Sequence, residues 1–311
     1  MAEVITIQSD QAGQRVDNFI FKHLKGVPKV RVYRAIRNGE VRVNGGRIKP
    51  EYRLAADDQV RIPPLSSERP LKPVAPRVEV KNALLERIIY EDSGLIVIDK
   101  PSGLAVHGGS GLQGGVIDLL RMIRPELKFL ELIHRLDRET SGCLLLAKKR
   151  RTLLAWHQHL TERRARKQYI ALVKGRWEGG SQRVEAALRK NILSSGERIV
   201  KVSADGKPAV TLFRPLKIFK NMSLIEASPL TGRTHQIRVH LQHIGYPIAA
   251  DSKYGDEHFN QQVRSAGLKR LFLHAASISC PADPQTNEGL FGICALLAAD
   301  LQDFLKKIPN F

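Results

Sequence analysis

The sequence predicts an α+β protein in which a small N-terminal module precedes a larger domain built on a mixed or antiparallel sheet. Three observations predict this. The chain of 311 residues is long enough for two domains. Five prolines crowd into the segment PPLSSERPLKPVAP, which can neither continue a helix nor donate regularly to a sheet. After that segment, short β-like runs occur in clusters with only occasional helical patterns.

The proline-rich segment divides the chain into a predicted module at residues 1–62, a linker at 63–80 and a domain at 81–311. A first helix of the module is predicted by apolar residues at helical spacing, namely Val16, Phe19, Ile20 and Leu24. A second helix is expected between Pro28 and Gly39. Polar and apolar residues alternate at 40–43, directly before Asn44-Gly45-Gly46, and this pattern predicts a hairpin. The same alternation at residues 60–62 predicts a further strand.

Three arginines of the second helix, Arg31, Arg34 and Arg37, fall on one arc at about 100° per residue. This face suits RNA phosphates, but a solvated helix surface explains it equally well. Nearly the whole module resembles the S4 RNA-binding domain. The segments that carry the resemblance are GQRVDNFI, KVRVYRAIRNGEVRVNGG and DDQVRIPP. The resemblance implies that the three arginines bind RNA.

The larger domain is rich in predicted strands. These are expected at residues 88–90, 95–99, 143–147, 168–174 and 224–227. Helices are expected at residues 116–123, 150–164 and 234–244. Because strands outnumber helices and do not alternate regularly with them, we expect an antiparallel or mixed sheet.

The composition is that of a globular protein with a large cationic surplus. Against 31 Asp and Glu there are 50 Lys and Arg, which gives a net charge of +19. Residues 1–80 carry +6 (15 cations, 9 anions) and residues 81–311 carry +13 (35 cations, 22 anions). An evenly basic body indicates a polyanionic partner, most readily a nucleic acid, because binding it releases counterions. Charge that serves only solubility is the alternative.

The cysteines Cys143, Cys280 and Cys294 form no CxxC pair and lie within or near apolar residues. We therefore expect buried thiols in a reducing compartment and no structural zinc. The sequence contains neither a secretory h-region nor an apolar run long enough for a bilayer. It predicts a soluble, cytoplasmic protein without a membrane partner.

The most unusual local sequence is LIHRLDRETSG at residues 132–142, followed by the apolar run CLLLA. Here Asp137 stands between Arg135 and Arg138, in a loop leading into a predicted buried strand. Cations within about 4–6 Å favour the ionised carboxylate, and such a carboxylate can attack sugar carbons. From these residues alone, a surface salt bridge or an Asx turn is the commoner explanation.

HRLDRETSG resembles the catalytic motif of the RluA family of pseudouridine synthases. LIVIDKPSGLAVH resembles the first family motif, KQYIALVKG the second, and GRTHQIRVHLQHIGYPIAADSKYG the third, with LFLHA after it. This resemblance covers most of the large domain and implies the pseudouridine synthase fold. After LFLHA the chain reads NEGLFGICALLAADLQDFLKK, where the family has a strand and an APLP-like segment.

The resemblance also implies roles for individual residues. Asp137 is expected to be the catalytic aspartate that attacks the target nucleoside. Tyr169 is expected against the uracil ring, for stacking or sugar deprotonation, although its sequence context alone favours an ordinary half-buried strand tyrosine. Arg238 is expected to pair with Asp137, with a phosphate contact as the alternative. Arg135 is expected to enter the space left by a flipped base.

Several charged or metal-binding residue types remain outside these roles. His235, His240 and His243 invite a zinc site, which we reject because no Cys or carboxylate pair completes a tetrahedral set. The runs KKRR at 148–151 and RRARK at 163–167 can be either solvated faces or phosphate contacts.

We therefore predict an isomerase, acting as a monomer, that converts uridines of 23S ribosomal RNA to pseudouridine. Its substrate is expected to be that RNA or a large-subunit assembly intermediate. The reaction breaks the N1–C1′ bond and joins C5 to C1′, so we expect neither a metal nor a redox cofactor. The alternative functions are a non-catalytic RNA chaperone or ribosome-assembly factor and a hydrolytic nucleosidase.

Overall fold

The computed structural model describes residues 2–24, 27–65, 78–108, 114–192, 198–280 and 291–308. The chain forms two compact units, Met1–Ala75 and Pro76–Phe311. Most of the predicted linker, residues 66–77, lies outside the described residues. A helix begins at Val78, where a linker was predicted up to residue 80. That helix starts as soon as the run of prolines ends, so backbone N–H groups are again available for helical hydrogen bonds.

The first unit packs two helices against a four-stranded antiparallel sheet. Its elements are β1 (Glu3–Thr6), α1 (Val16–His23), α2 (Lys29–Arg37), β2 (Arg42–Val43), β3 (Gly46–Arg47) and β4 (Gln59–Ile62), with a short 3₁₀ turn at Ser9–Gln11. The strand order is β1-β4-β2-β3. Fully buried apolar side chains of the two helices and of β4, among them Ile20, Val32 and Val60, form the core.

The structure confirms the two helices and the hairpin predicted for this unit. Val43 pairs with Gly46 across a two-residue turn, in which Asn44 and Gly45 both have positive φ (50° and 77°). This is the turn chemistry that Asn-Gly favours between antiparallel strands. β1 was not predicted, because its residues show no alternation of exposed and buried positions.

The second unit is built on a ten-stranded sheet. Its strands are β5 (Ile88–Glu91), β6 (Leu95–Lys100), β7 (Glu131–Leu132), β8 (Ser141–Ala147), β9 (Arg166–Lys174), β10 (Gln182–Glu185), β13 (Val210–Ile218), β14 (Met222–Pro229), β15 (Leu273–Cys280) and β16 (Phe291–Cys294). The strand order is β10-β13-β14-β9-β15-β8-β6-β5. In addition, β7 pairs with β8 and β16 pairs with β15. Only the β8–β15 pair is parallel among the described strands. A separate hairpin is formed by β11 (Leu188–Ile192) and β12 (Arg198–Val202).

Within the described residues, six helices flank this sheet. They are α3 (Val78–Leu85), α4 (Val116–Ile123), α5 (Arg150–Thr161), α6 (Gln236–His243), α7 (Glu257–Ser265) and α8 (Ala299–Lys307). The predicted helices at 116–123, 150–164 and 234–244 are confirmed, the last two with shorter bounds. None of the helices in the described ranges has the length and apolar character needed to cross a membrane.

The central strands are buried on both faces, which explains their continuous apolar sequence. In β8 all seven residues are buried. Leu144 and Leu146 point into one apolar cluster, and Cys143 and Leu145 point into another on the opposite face. The predicted α+β class with a mixed, mostly antiparallel sheet is confirmed.

One cysteine prediction was wrong. Cys143 and Cys280 are buried, but Cys294 is exposed. The reason is its position on the short edge strand β16, where Phe291 and Ile293 are half-buried and the alternate residues Gly292 and Cys294 face outward.

Gly142 of β8 pairs with Ala275 of β15, and the two backbones lie close together at this position. Its φ is +106°, and a Cβ atom at this position would overlap the backbone carbonyl of Ala275. The neighbouring residue Ser141 also pairs with β15, through His274. Only glycine therefore fits here, five residues after Asp137 in the sequence.

We predict that Gly142→Ala lowers the free energy of unfolding of the second unit by about 3 kcal/mol or more, because backbone overlap adds to the unfavourable φ. Gly245→Ala is the matched control. Gly245 also has positive φ (+84°), but a Cβ atom would meet nothing within 4 Å, so a loss of about 1 kcal/mol is expected.

Urea unfolding followed by tryptophan fluorescence measures this difference, since both tryptophans, Trp156 and Trp177, lie in the second unit. Equal destabilisation by the two substitutions would contradict the close approach of β8 to β15.

Candidate active site

The loop between β7 and β8 carries Asp137 and is tied to the loop that follows β6. The backbone N–H of Gly103 donates to the carbonyl of Arg138 (2.9 Å), and the Arg138 guanidinium donates back to the carbonyl of Gly103 (2.9 Å). Ser102 Oγ donates to the carbonyl of Glu139 (2.7 Å). These bonds hold the backbone on the C-terminal side of Asp137.

Lys100 anchors the same two loops from inside the protein. Its side chain is fully buried, and its ammonium donates to the carbonyl oxygens of Pro101, Leu104 and Arg138 at 2.8, 2.8 and 3.0 Å. Burial lowers the pKa of Lys100 to about 7, while the nearby Asp137 carboxylate opposes this shift. The lysine therefore fixes the loop through three backbone acceptors and does not reach into solvent.

Arg238, on α6, connects Asp137 to a second carboxylate. Its Nε and Nη2 donate to the two carboxylate oxygens of Asp251, both at 2.7 Å, and its Nη1 lies 3.4 Å from Asp137 Oδ2. The side chains of Arg238 and Asp251 are 4% and 0% exposed, whereas that of Asp137 is 26% exposed. Burial alone would lower the pKa of Arg238, but the bonds to Asp251 more than offset burial and raise it. The guanidinium is thus a fixed cation beside Asp137.

His235 is the residue that precedes α6, and its ring lies near Asp137. Its Nε2 lies 3.9 Å from Asp137 Oδ1, and its Nδ1 lies 2.7 Å from the hydroxyl of Tyr254. That hydroxyl also accepts from the backbone N–H of Val200 (2.9 Å), which leaves its own proton available for Nδ1. Burial lowers the pKa of His235, although the Asp137 charge opposes the shift. When Nδ1 accepts from Tyr254, the neutral ring carries its proton on Nε2, facing Asp137.

Tyr169 forms the opposite wall of the site. It lies in the middle of the sheet on β9, between Ala227 of β14 and Ala275 of β15, and it is 9% exposed. Its hydroxyl makes no hydrogen bond to any part of the chain that the structure describes. Burial, assisted by the charge of Asp137, raises the pKa of Tyr169 above its usual value. The side chain is consequently a neutral phenol at physiological pH.

Of these side chains, Asp137, His235, Arg238 and Tyr169 line one open cleft of about 1590 Å³. Asp137, Tyr169, Arg238 and Arg135, all named from the sequence, contribute to its lining. Among the described residues the lining contains nine Arg and Lys against four Asp and Glu. The volume exceeds that of a typical small-molecule pocket, and its charge suits a polyanion.

The remaining sequence-predicted residues lie elsewhere. Arg34 and Arg37 are exposed on α2 of the first unit, and Arg31 is half-buried, with its guanidinium 3.7 Å from Glu40. Buried Val32 and Ile36 occupy the other side of the helix, as predicted. The three arginines therefore form a surface of the first unit.

The histidines have structural partners. Nδ1 of His240 bonds to Thr211 (3.0 Å), and its Nε2 bonds to the carbonyl of Ala186 (3.0 Å). Burial lowers the pKa of His134 to about 3, and its Nε2 accepts the backbone N–H of Leu145 (3.2 Å). Within the described ranges, no group of three or more His, Cys, Asp or Glu residues is arranged to hold a metal ion.

Sequence reasoning missed Asp251, Lys100 and Tyr254. Asp251 and Tyr254 both lie in the third motif, and a carboxylate in the apolar context IAADS was a signal of burial with a cationic partner. The lysine follows the apolar run LIVID, where a buried cation is equally unusual.

Comparison with known proteins identifies both units. The RNA pseudouridylate synthase family matches residues 94–243, and the S4 domain matches residues 14–60. Ribosomal large subunit pseudouridine synthase C of Pasteurella multocida (strain Pm70) is 52% identical over 307 residues, which cover 98% of this chain and 92% of that protein. The protein of the same name from Escherichia coli (strain K12) is 52% identical over 311 residues, covering 99% and 97%.

Solved structures show the same relationship. Human RNA Pseudouridylate Synthase Domain Containing 4 superposes with a TM-score of 0.61 and 26% identity, covering 74% of this chain and 96% of that chain. Human RNA Pseudouridylate Synthase Domain Containing 1 has the same fold, with a TM-score of 0.55. The resemblance of the four motifs is thus confirmed, and the chain belongs to the RNA pseudouridylate synthase family, with an S4 domain at its N-terminus.

Proposed function

We propose that this protein isomerises uridines of large-subunit (23S) ribosomal RNA to pseudouridine, with Asp137 as the residue that acts on the ribose. The observation that carries this proposal is the convergence of Asp137, Arg238 and Tyr169 in one basic cleft, from three distant parts of the sequence. The relatives of 52% identity are named for large-subunit pseudouridine synthesis, which supports the choice of RNA.

The geometry assigns distinct tasks to the two charged groups. Asp137 is partly exposed and can reach C1′ of a uridine that has left its stack, whereas the buried guanidinium of Arg238 cannot move with the substrate. Breaking the N1–C1′ bond leaves electron deficiency at C1′, which a carboxylate stabilises or captures. Joining C5 to C1′ then releases the C5 proton, while N1 gains a proton. Arg238 keeps the Asp137 carboxylate oriented throughout.

Tyr169 is proposed to pack against the detached uracil and keep it in the cleft. Its raised pKa keeps the phenol protonated, so stacking and hydrogen-bond donation suit it better than removal of a proton from the sugar. Arg135 is exposed at the cleft and carries a planar cation, which suits the gap left in the RNA stack by the extruded base.

The S4 unit is proposed to orient the RNA through Arg31, Arg34 and Arg37. The substrate is free 23S RNA or an assembly intermediate in the cytoplasm, and the enzyme acts as a monomer. No residue described here calls for a metal or a redox cofactor in this chemistry, since the isomerisation needs only an anion, a captive base and exclusion of water.

We predict that Asp137→Asn abolishes isomerisation, with a loss of at least about 10³-fold in kcat, because the amide cannot act on C1′. RNA binding should be retained, since the shape of the side chain is kept. Tritium release from RNA labelled at C5 of uridine measures the rate. Undiminished release would contradict the role of Asp137.

The same preparation tests the alternative functions. Primer-extension mapping after carbodiimide treatment should reveal new pseudouridine for the wild-type protein. Binding of the RNA without any new pseudouridine would favour a chaperone, and release of free uracil would favour a nucleosidase.

We predict that Arg238→Lys lowers kcat by about 10²-fold or more, because a lysine cannot bond both oxygens of Asp251 and still reach Asp137. Arg214→Lys is the matched control, since Arg214 forms a comparable two-bond pair with Glu226 on the exposed face of the sheet. The control should retain wild-type kcat and lose less than about 1 kcal/mol of stability. Equal activity of the two variants would show that the buried pair has no part in the reaction.

Replacement of Arg31, Arg34 and Arg37 by glutamine should weaken RNA binding and reduce the slope of log Kd against log salt by about 2 to 3. Turnover at saturating RNA should stay near the wild-type value. The triple lysine variant is the control, because it keeps the charges and should keep most of the slope. An equal loss of turnover at saturating RNA would contradict the assignment of RNA binding to the first unit and of catalysis to the second.

A further inference from the structure

The segment RRARK at residues 163–167, which follows α5 and includes the first two residues of β9, brings three cations to the cleft. Arg163, Arg166 and Lys167 line it, while the fourth cation, Arg164, forms an ion pair with Glu162. Arg163, Arg166 and Lys167 have no carboxylate partner among the described residues. Arg163 also has a φ of 58°, an unfavourable conformation for a side chain of its size, which turns the backbone at the end of α5.

Lys167 is the least solvated of these cations. Its side chain is half-buried. Its ammonium nitrogen lies close to Gly232, another residue of the cleft lining, since a Cβ atom added to that glycine would be 3.9 Å away. No hydrogen bond or ion pair to the described residues satisfies that ammonium. Burial lowers the pKa of Lys167, with no neighbouring carboxylate to oppose the shift.

An unpaired, partly buried ammonium is costly, and proteins normally pair such groups or expose them. A lysine held in this way in the wall of a substrate cleft is expected to receive its anion from the substrate. Lys100 offers a contrast in the same domain, because its ammonium is satisfied by three protein carbonyls.

The position of Lys167 on β9 indicates which anion fits. Lys167 and Tyr169 are two residues apart on one strand and therefore project from the same face, about 7 Å apart along the strand. That spacing is comparable with the distance from a nucleobase to its own backbone phosphate. A nucleotide with its base against Tyr169 would place a phosphate within reach of Lys167.

We propose that Lys167 binds a backbone phosphate adjacent to the extruded uridine, forming a phosphate site at the start of β9 in which Arg163 and Arg166 complete the positive wall. This inference rests on the proposed function, because it requires a flipped nucleotide against Tyr169. Lys167 holds the RNA in register and takes no part in bond breaking.

Lys167→Met tests the site, because methionine keeps the length of the side chain and removes the charge. Using a 23S RNA transcript as probe, Kd should rise about tenfold, and the slope of log Kd against log salt should fall by about 0.7 to 0.9. The Tm should stay at or above that of the wild type, since an unpaired buried charge is lost. Lys167→Arg should keep the slope.

Lys220→Ala, an exposed lysine in the turn between β13 and β14 outside the cleft, is the matched control and should leave Kd and slope unchanged. The proposal would be overturned if Lys167→Met kept the wild-type salt slope or had a lower Tm than the wild type. It would also be overturned if Lys220→Ala changed Kd and slope as much as Lys167→Met does. These binding measurements do not depend on turnover. If the wild-type protein forms no pseudouridine, the proposed function fails, whatever the slopes show.

A second experiment locates the phosphate. In an RNA fragment whose uridine the wild-type enzyme isomerises, neutral methylphosphonates replace the phosphates 5′ and 3′ of that uridine, one at a time. One of the two methylphosphonates should raise the Kd of the wild-type protein about as much as Lys167→Met does. The same methylphosphonate should raise the Kd of the Lys167→Met variant little further. Additive losses at both positions would refute the assignment.

Discussion

The buried ion pair between Arg238 and Asp251 is the interaction on which the rest of the site depends. It joins α6 to the turn at residues 251–255, where the Asp251 carboxylate also accepts the backbone N–H groups of Lys253 and Tyr254 at 2.9 and 3.0 Å. With both charges almost fully buried, desolvation cancels much of the Coulomb attraction, so the pair contributes more to geometry than to stability. That geometry leaves Nη1 of the guanidinium free to face Asp137.

Asp137 is thus positioned from two independent sides. Lys100 and the loop after β6 fix the backbone that carries it, and Arg238 and His235 face its carboxylate. Gly142 permits β8 to pair with β15, which brings this loop next to the strand beside Tyr169. The Asp137 carboxylate remains partly exposed while its neighbours are held by buried contacts, an arrangement that suits a site preorganised before the RNA arrives.

Local sequence was sufficient to predict the elements with strong periodicity and the motifs that carry Asp137, Tyr169 and Arg238. Their proximity in one cleft followed only from family resemblance, since more than 100 residues separate Asp137 from its contact on α6. Asp251 and Tyr254 could not be assigned, because a buried network depends on tertiary packing. The strand β16 and helix α8 were likewise not predicted, because the chain departs from the family pattern there, and Cys294 proved to be exposed on that edge strand.

The central claim is that Arg238 acts on Asp137 only while Asp251 holds it. Single-turnover rates of Asp251→Asn, Arg238→Lys and the double variant, measured on one RNA, test this claim most directly. If the two residues act as a unit, the double variant will be no slower than the slower single variant. A double variant whose loss equals the product of the two single losses would contradict the account.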